Sequence, residues 1–144
     1  MAIGGHEMKY SEIKKGDSLP EFRAHMDRET YFAYNKLVNN WNPIHADKDY
    51  AVKLGYKDIV VAGLYTYSFI TRMVEEWTAP SGTIRSVEVK YHDPVYIDST
   101  MVQRGRVAGK MNSGKQGSVE VEIKAEDGEG LLLISASITV DFRD

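Results

Sequence analysis

The sequence predicts an α+β domain in which a curved antiparallel sheet wraps around one long central helix. Three observations predict it. Apolar residues recur every three to four positions through the first half of the chain and every second position from Ser81 onward. A long apolar stripe at helical spacing follows Gly63, and turn chemistry at Met111–Gly117 and Glu126–Gly130 separates the later strands. Helices followed by a run of strands is an α+β order, and 144 residues suit one core, so residues 1–144 are expected to form a single domain.

Taken in order, a short strand is expected near Leu19 to Met26. Asp27 can then cap a helix whose apolar side is Tyr31, Tyr34, Val38 and Trp41. Pro43 ends that helix, because it disfavours helical geometry in Asn42 before it. Asp47 to Leu54 reads as a short helix closed by Gly55, a natural left-handed cap. Past Gly63, the stripe Phe69, Ile70, Met73, Val74 and Trp77 marks the long helix. Val87, Val89 and Tyr91 then alternate with polar neighbours. So do Val119, Val121, Ile123 and Ala125, and Leu132, Ile134, Ala136, Ile138, Val140 and Phe142; Thr100 to Val107 alternates less regularly. A meander of about four antiparallel strands is expected, each with one wet face. So small a sheet covers one side of the long helix, which implies a dimer.

Composition excludes several function classes. The net charge is −3 with no basic run, which removes the electrostatic footprint of a nucleic-acid binder. There are no cysteines, hence no disulfide, thiolate metal site or cysteine nucleophile. Neither a signal-peptide core nor a membrane-spanning apolar run is visible, so a cytoplasmic protein without membrane attachment is expected.

The chemistry concentrates in NNWNPIHADKDYA, Asn39 to Ala51. Asn-Pro sets the backbone direction, Ile44 anchors the turn, and His45 precedes a short helix, where its ring can face a cleft as an acid or base. The bland alternative is a histidine that only hydrogen-bonds a neighbouring turn. Gly63 opens the long helix, so its N–H lacks an intrahelical acceptor and sits at the positive end of the dipole, or it is merely a helix-entry glycine. His45, Asp47 and Asp49 are explained by a turn and helix-start carboxylates rather than by a metal. Thr71, two turns after Gly63 and with Tyr67 between them, reads either as facing the cleft or as a solvated or packed hydroxyl. His6, His25 and His92 read as surface or strand-face residues. Arg72, Arg85, Arg104 and Arg106 are cations available to an anionic ligand across a dimer, each with an ordinary surface alternative.

Tyr34 to Leu64 carries N-x-N-P-I-H at Asn40 to His45, A-D-K-D-Y-A-V-K-L-G at Ala46 to Gly55 and D-I-V-V-A-G-L at Asp58 to Leu64. Together with D-P-V-Y-I-D at Asp93 to Asp98, it resembles the MaoC-like (R)-specific enoyl-CoA hydratases and 3-hydroxyacyl dehydratases, which have the hot-dog fold. The resemblance implies reversible hydration of a trans-2-enoyl-CoA to a 3-hydroxyacyl-CoA. The acyl-CoA is then a substrate, and no further cofactor or metal is implied. It assigns His45 and Asn40 to catalysis, the Gly63 N–H to the developing enolate, and Ala62, Leu64 and Thr71 to the substrate. It also implies a homodimer, or a heteromer with a second hot-dog subunit, as in the steroid side-chain hydratases that Lys57 to Val61 and Glu75 to Ser81 resemble.

The sequence departs from that pattern twice. Asn40 stands where the family has a carboxylate, and Asn cannot act as a base. Ala62 replaces the histidine before the helix-opening glycine. Three explanations stand open: His45 as the single acid/base, a degenerate subunit that binds acyl-CoA or completes a partner's site, or an introduced replacement of a catalytic Asp.

Overall fold

The structure is a computed structural model describing residues 8–113 and 116–143. His6 and the centre of the expected Met111–Gly117 turn lie outside the described residues. The elements, in chain order, are β1 (Phe22–His25), α1 (Arg28–Val38), α2 (Lys48–Lys53), α3 (Gly63–Thr78), β2 (Gly82–Tyr91), β3 (Thr100–Ser113), β4 (Gln116–Glu126) and β5 (Leu132–Arg143). Among the described residues, five antiparallel strands make one sheet in the order β1-β3-β4-β5-β2. The sheet curls around α3, as a hot-dog fold does.

The core forms where the two hydrophobic periods meet. Ile70, Met73 and Val74 of α3 are buried against the alternating inward set Val119, Val121 and Ile123 of β4 and Ile134, Ile138 and Val140 of β5. Phe69 and Trp77 pack at its margin. Register shifts in β2 and β3, each with two residues facing one, increase local twist and help the sheet bend around the helix. Gln103 crosses this core with its side-chain amide donating to the Phe69 carbonyl at 3.0 Å, tying β3 to α3.

The meander expectation needs one correction. β3, β4 and β5 follow one another, but β2 pairs with β5 rather than β3, with Val87 opposite Ile138. The segment after β2 explains this. The Val61 N–H donates to the Val95 carbonyl at 2.7 Å, and the Ile97 N–H donates to the Ile59 carbonyl at 3.1 Å. With Val95 and Ile97 buried, these contacts carry the chain past the start of α3 to the other side of the sheet.

The expected end of α1 is also corrected. Asp27 caps its start as predicted, its carboxylate accepting from the Thr30 N–H at 2.9 Å. The helix stops at Val38, well before Pro43, because Asn39 adopts a left-handed conformation with φ +55° and its N–H closes on the Asn35 carbonyl. Trp41 therefore lies beyond the helix, 83% exposed, instead of continuing its apolar side. A single 3-10 turn, Pro43–His45, follows, and α2 starts on an Asp47 cap and closes before Gly55 with φ +97°. No helix among the described residues is long and apolar enough to cross a membrane.

Ile138 is fully enclosed where β5 meets β4 and β2. Ile138→Ala is expected to cost about 2–5 kcal/mol in denaturant unfolding; a loss below about 1 kcal/mol would contradict this placement of the core.

Candidate active site

The site begins with the 3-10 turn. The Asn42 side-chain carbonyl accepts from the Ile44 N–H at 3.3 Å, and the Ile44 carbonyl accepts from the Val60 N–H at 3.0 Å. His45 Nδ1 lies 2.7 Å from the Val60 carbonyl. A carbonyl only accepts, so Nδ1 carries the hydrogen and Nε2 of the neutral ring is left with a free lone pair. The turn thus delivers a half-buried imidazole with one nitrogen spent on orientation and the other available for a proton.

The backbone of His45 is held from behind by α1. Its carbonyl accepts from the Tyr31 hydroxyl at 2.8 Å and from the Asn35 side-chain amide at 3.0 Å. Both side chains are buried, and they lie one helical turn apart on the same face. The Tyr31 hydroxyl also accepts the Ala62 N–H at 3.0 Å. Burial raises the Tyr31 pKa above its ordinary value, which keeps the hydroxyl protonated and able to donate.

Ala62 precedes α3 and offers no side-chain cap. Its carbonyl accepts from the N–H groups of Tyr65 at 3.0 Å and Thr66 at 3.3 Å, which polarises the peptide carrying the Gly63 N–H. That N–H has no acceptor among the described residues and lies at the positive end of a 16-residue helix. The Gly63 carbonyl is held by the Tyr91 and Thr66 hydroxyls at 3.0 and 2.9 Å. A Cβ at residue 63 would come within 3.2 Å of the Tyr91 ring, so glycine permits this close approach.

His45 and Gly63 line two adjoining clefts. The larger, of about 460 Å³, adds Asn40, Ala62 and Leu64, with Tyr34 and Val38 as apolar wall. The smaller, of about 310 Å³, is lined by Thr66, Tyr91, His92 and Asp93. The residue with an uncommitted imidazole nitrogen and the residue with an unclaimed backbone donor therefore line the same clefts.

The residues singled out in the sequence are mostly brought together here. His45, Asn40, Ala62, Gly63 and Leu64 share the larger cleft. Thr71 lines neither cleft; its hydroxyl turns back to the Ser68 carbonyl at 3.2 Å. At eight residues from Gly63 it has rotated off the face that Thr66 occupies. His92 is exposed, as a surface residue should be, and it also lines the smaller cleft, with Nε2 2.8 Å from the Ser135 hydroxyl. The four arginines are engaged on the surface: Arg72 with Glu76, Arg85 with Asp141, Arg104 with Glu21 and Arg106 with Glu122. Tyr31 and Asn35 were not singled out as site residues. A tyrosine and an asparagine four apart on a buried helix face were the available signal, since buried polar groups require partners.

The chain belongs to the MaoC-like domain family, whose model matches residues 14–129. Members of that family hydrate and dehydrate acyl thioesters. The chain is 26% identical over 129 residues to a 3-oxo-4,17-pregnadiene-20-carboxyl-CoA hydratase beta subunit of Mycobacterium tuberculosis, covering 90% of this chain and 96% of that one. It superposes on a chain of the ChsH1-ChsH2 complex of the same organism with a TM-score of 0.79 and 26% identity, over 90% of this chain and 98% of that one. An (R)-hydratase from A. caviae involved in PHA biosynthesis superposes with a TM-score of 0.78 over 89% and 96% of the two chains; at 13% identity it shows the fold alone.

Burial also raises the pKa of Tyr65 and of Tyr91. A raised folded pKa contributes stability that is complete below the unfolded value, about 10 for tyrosine, and is lost as pH rises through the folded value. The thermal midpoint is expected to fall above about pH 10, and to fall less steeply in Tyr31→Phe. Equal slopes for the two proteins would contradict a buried, protonated Tyr31.

Proposed function

We propose that this chain is a hydro-lyase that reversibly adds water across the double bond of a trans-2-enoyl-CoA to give a 3-hydroxyacyl-CoA. The observation that carries the proposal is the shared cleft, where His45 presents a free Nε2 and Gly63 an unclaimed N–H. His45 Nε2 takes a proton from water as its oxygen bonds to C3. The C2–C3 π electrons move onto the thioester, and the enolate oxygen accepts the Gly63 N–H. The imidazolium then returns the proton to C2, so one water is consumed and His45 is regenerated. Hydration transfers no electrons, and the proposed reaction calls for no cofactor beyond the thioester substrate itself.

Asn40 holds water rather than deprotonating it. Its side-chain carbonyl accepts from the Asn42 N–H at 3.2 Å, leaving a second lone pair, and its amide group donates to the Asn35 side-chain carbonyl at 3.4 Å. Asn35 cannot turn its own amide toward residue 40 without releasing the His45 carbonyl. An Asp at position 40 would keep the first contact and set two acceptors against each other in the second.

The same residue favours a second reading, in which this chain binds acyl-CoA or completes the active site of a second hot-dog subunit. Asn40 supplies no general base, and the similarity to a hydratase beta subunit and to a chain of a two-protein complex supports a paired assembly. Leu64, which lines the cleft, and Leu37 of α1 are 72% and 85% exposed, which suits coverage by another chain, identical or different.

Hydration of a trans-2-enoyl-CoA, followed by loss of its conjugated absorbance, separates these readings on the purified chain with any co-purifying partner. His45→Ala is expected to lower kcat by about 10²- to 10⁴-fold while the protein still binds the thioester. Wild-type turnover in His45→Ala would overturn the catalytic assignment. Activity appearing only in Asn40→Asp would select the second reading.

A further inference from the structure

The hydroxyl of Tyr31 is a single atom bonded to both halves of the site. It donates to the His45 carbonyl at 2.8 Å and accepts the Ala62 N–H at 3.0 Å, one residue before the Gly63 donor. We propose that Tyr31 is a positioning residue that sets the distance between the His45 acid/base and the Gly63 oxyanion donor. This proposal rests on the hydro-lyase reading above.

Three features separate this role from ordinary core packing. The residue is fully buried, so water cannot replace the hydroxyl at either partner. Its ring packs edge-on against Tyr65 of α3, with centroids 5.1 Å apart, which ties this α1 side chain to the helix on which Gly63 sits. The third feature is a contrast with Asn35. Asn35 reaches the His45 carbonyl and Asn40 but makes no bond to the start of α3. Asn35 therefore restrains the histidine turn, whereas Tyr31 restrains the turn relative to the helix. Addition of water at C3 requires both groups to meet one substrate at once, and a misplacement of about 1 Å is sufficient to cost about 10²-fold in rate.

The test compares Tyr31→Phe with Asn35→Ser by enoyl-CoA hydration kinetics and by the resonances of the Gly63 amide and the His45 ring. Tyr31→Phe is expected to lower kcat by about 10- to 100-fold with KM changed less than about twofold, and to shift the His45 ring and Gly63 amide resonances together. Asn35→Ser is expected to shift the His45 ring and leave the Gly63 amide in place. In the wild-type protein the Ala62 amide is expected to exchange slowly with solvent. A folded Tyr31→Phe with unchanged kcat, an unmoved Gly63 amide, or an Ala62 amide exchanging as fast as an open loop would each overturn the proposal. If the wild-type chain hydrates no enoyl-CoA, the enzyme reading fails, and the resonance and exchange measurements still decide whether Tyr31 couples the two groups.

Discussion

The hydrogen bond from His45 Nδ1–H to the Val60 carbonyl, 2.7 Å long, is the constraint on which the site depends. It orients the imidazole and sets its tautomer at once, so that Nε2 is left as an acceptor in a residue that lines the cleft. Val60 is itself tied back to the turn through the Ile44 carbonyl, which closes a small ring of contacts around the histidine. A short turn holding no buried residue is thereby tied to the segment that leads into α3.

The hydrophobic core and the site do different physical work. The sheet and α3 bury a large apolar surface, and this burial is tolerant of detail as long as volume and pattern are kept. The polar contacts of Tyr31 and Asn35 tolerate little. They lie among buried groups where an unmet donor costs more than an average hydrogen bond contributes. The fold brings the two chemically useful groups into one region, and the buried polar contacts determine their separation.

Much of this architecture was legible in the sequence because it follows from period. The stripe after Gly63 and the alternation in β4 and β5 place the central helix and the inner face of the sheet without reference to anything else. The Asn-Pro-Ile-His turn was legible because proline constrains its neighbour and itself. What was hidden depended on contacts remote in sequence. The position of β2 beside β5 is set by the path of Val95 and Ile97, and the early end of α1 by a left-handed Asn39, a conformation asparagine adopts only in context. Tyr31 reads as one more apolar position until its hydroxyl is seen between residues 45 and 62. The Asn40 departure was visible at once, but the Asn35 carbonyl that its amide meets was not.

His45 is presented with Nδ1 protonated and Nε2 free. The most direct measurement is the ¹⁵N spectrum of the ring-labelled protein with His45 assigned, recorded with the imidazole neutral. The account predicts a protonated Nδ1 and an unprotonated Nε2 in a single tautomer. A spectrum with the hydrogen on Nε2, or the averaged signals of a freely exchanging ring, would contradict it.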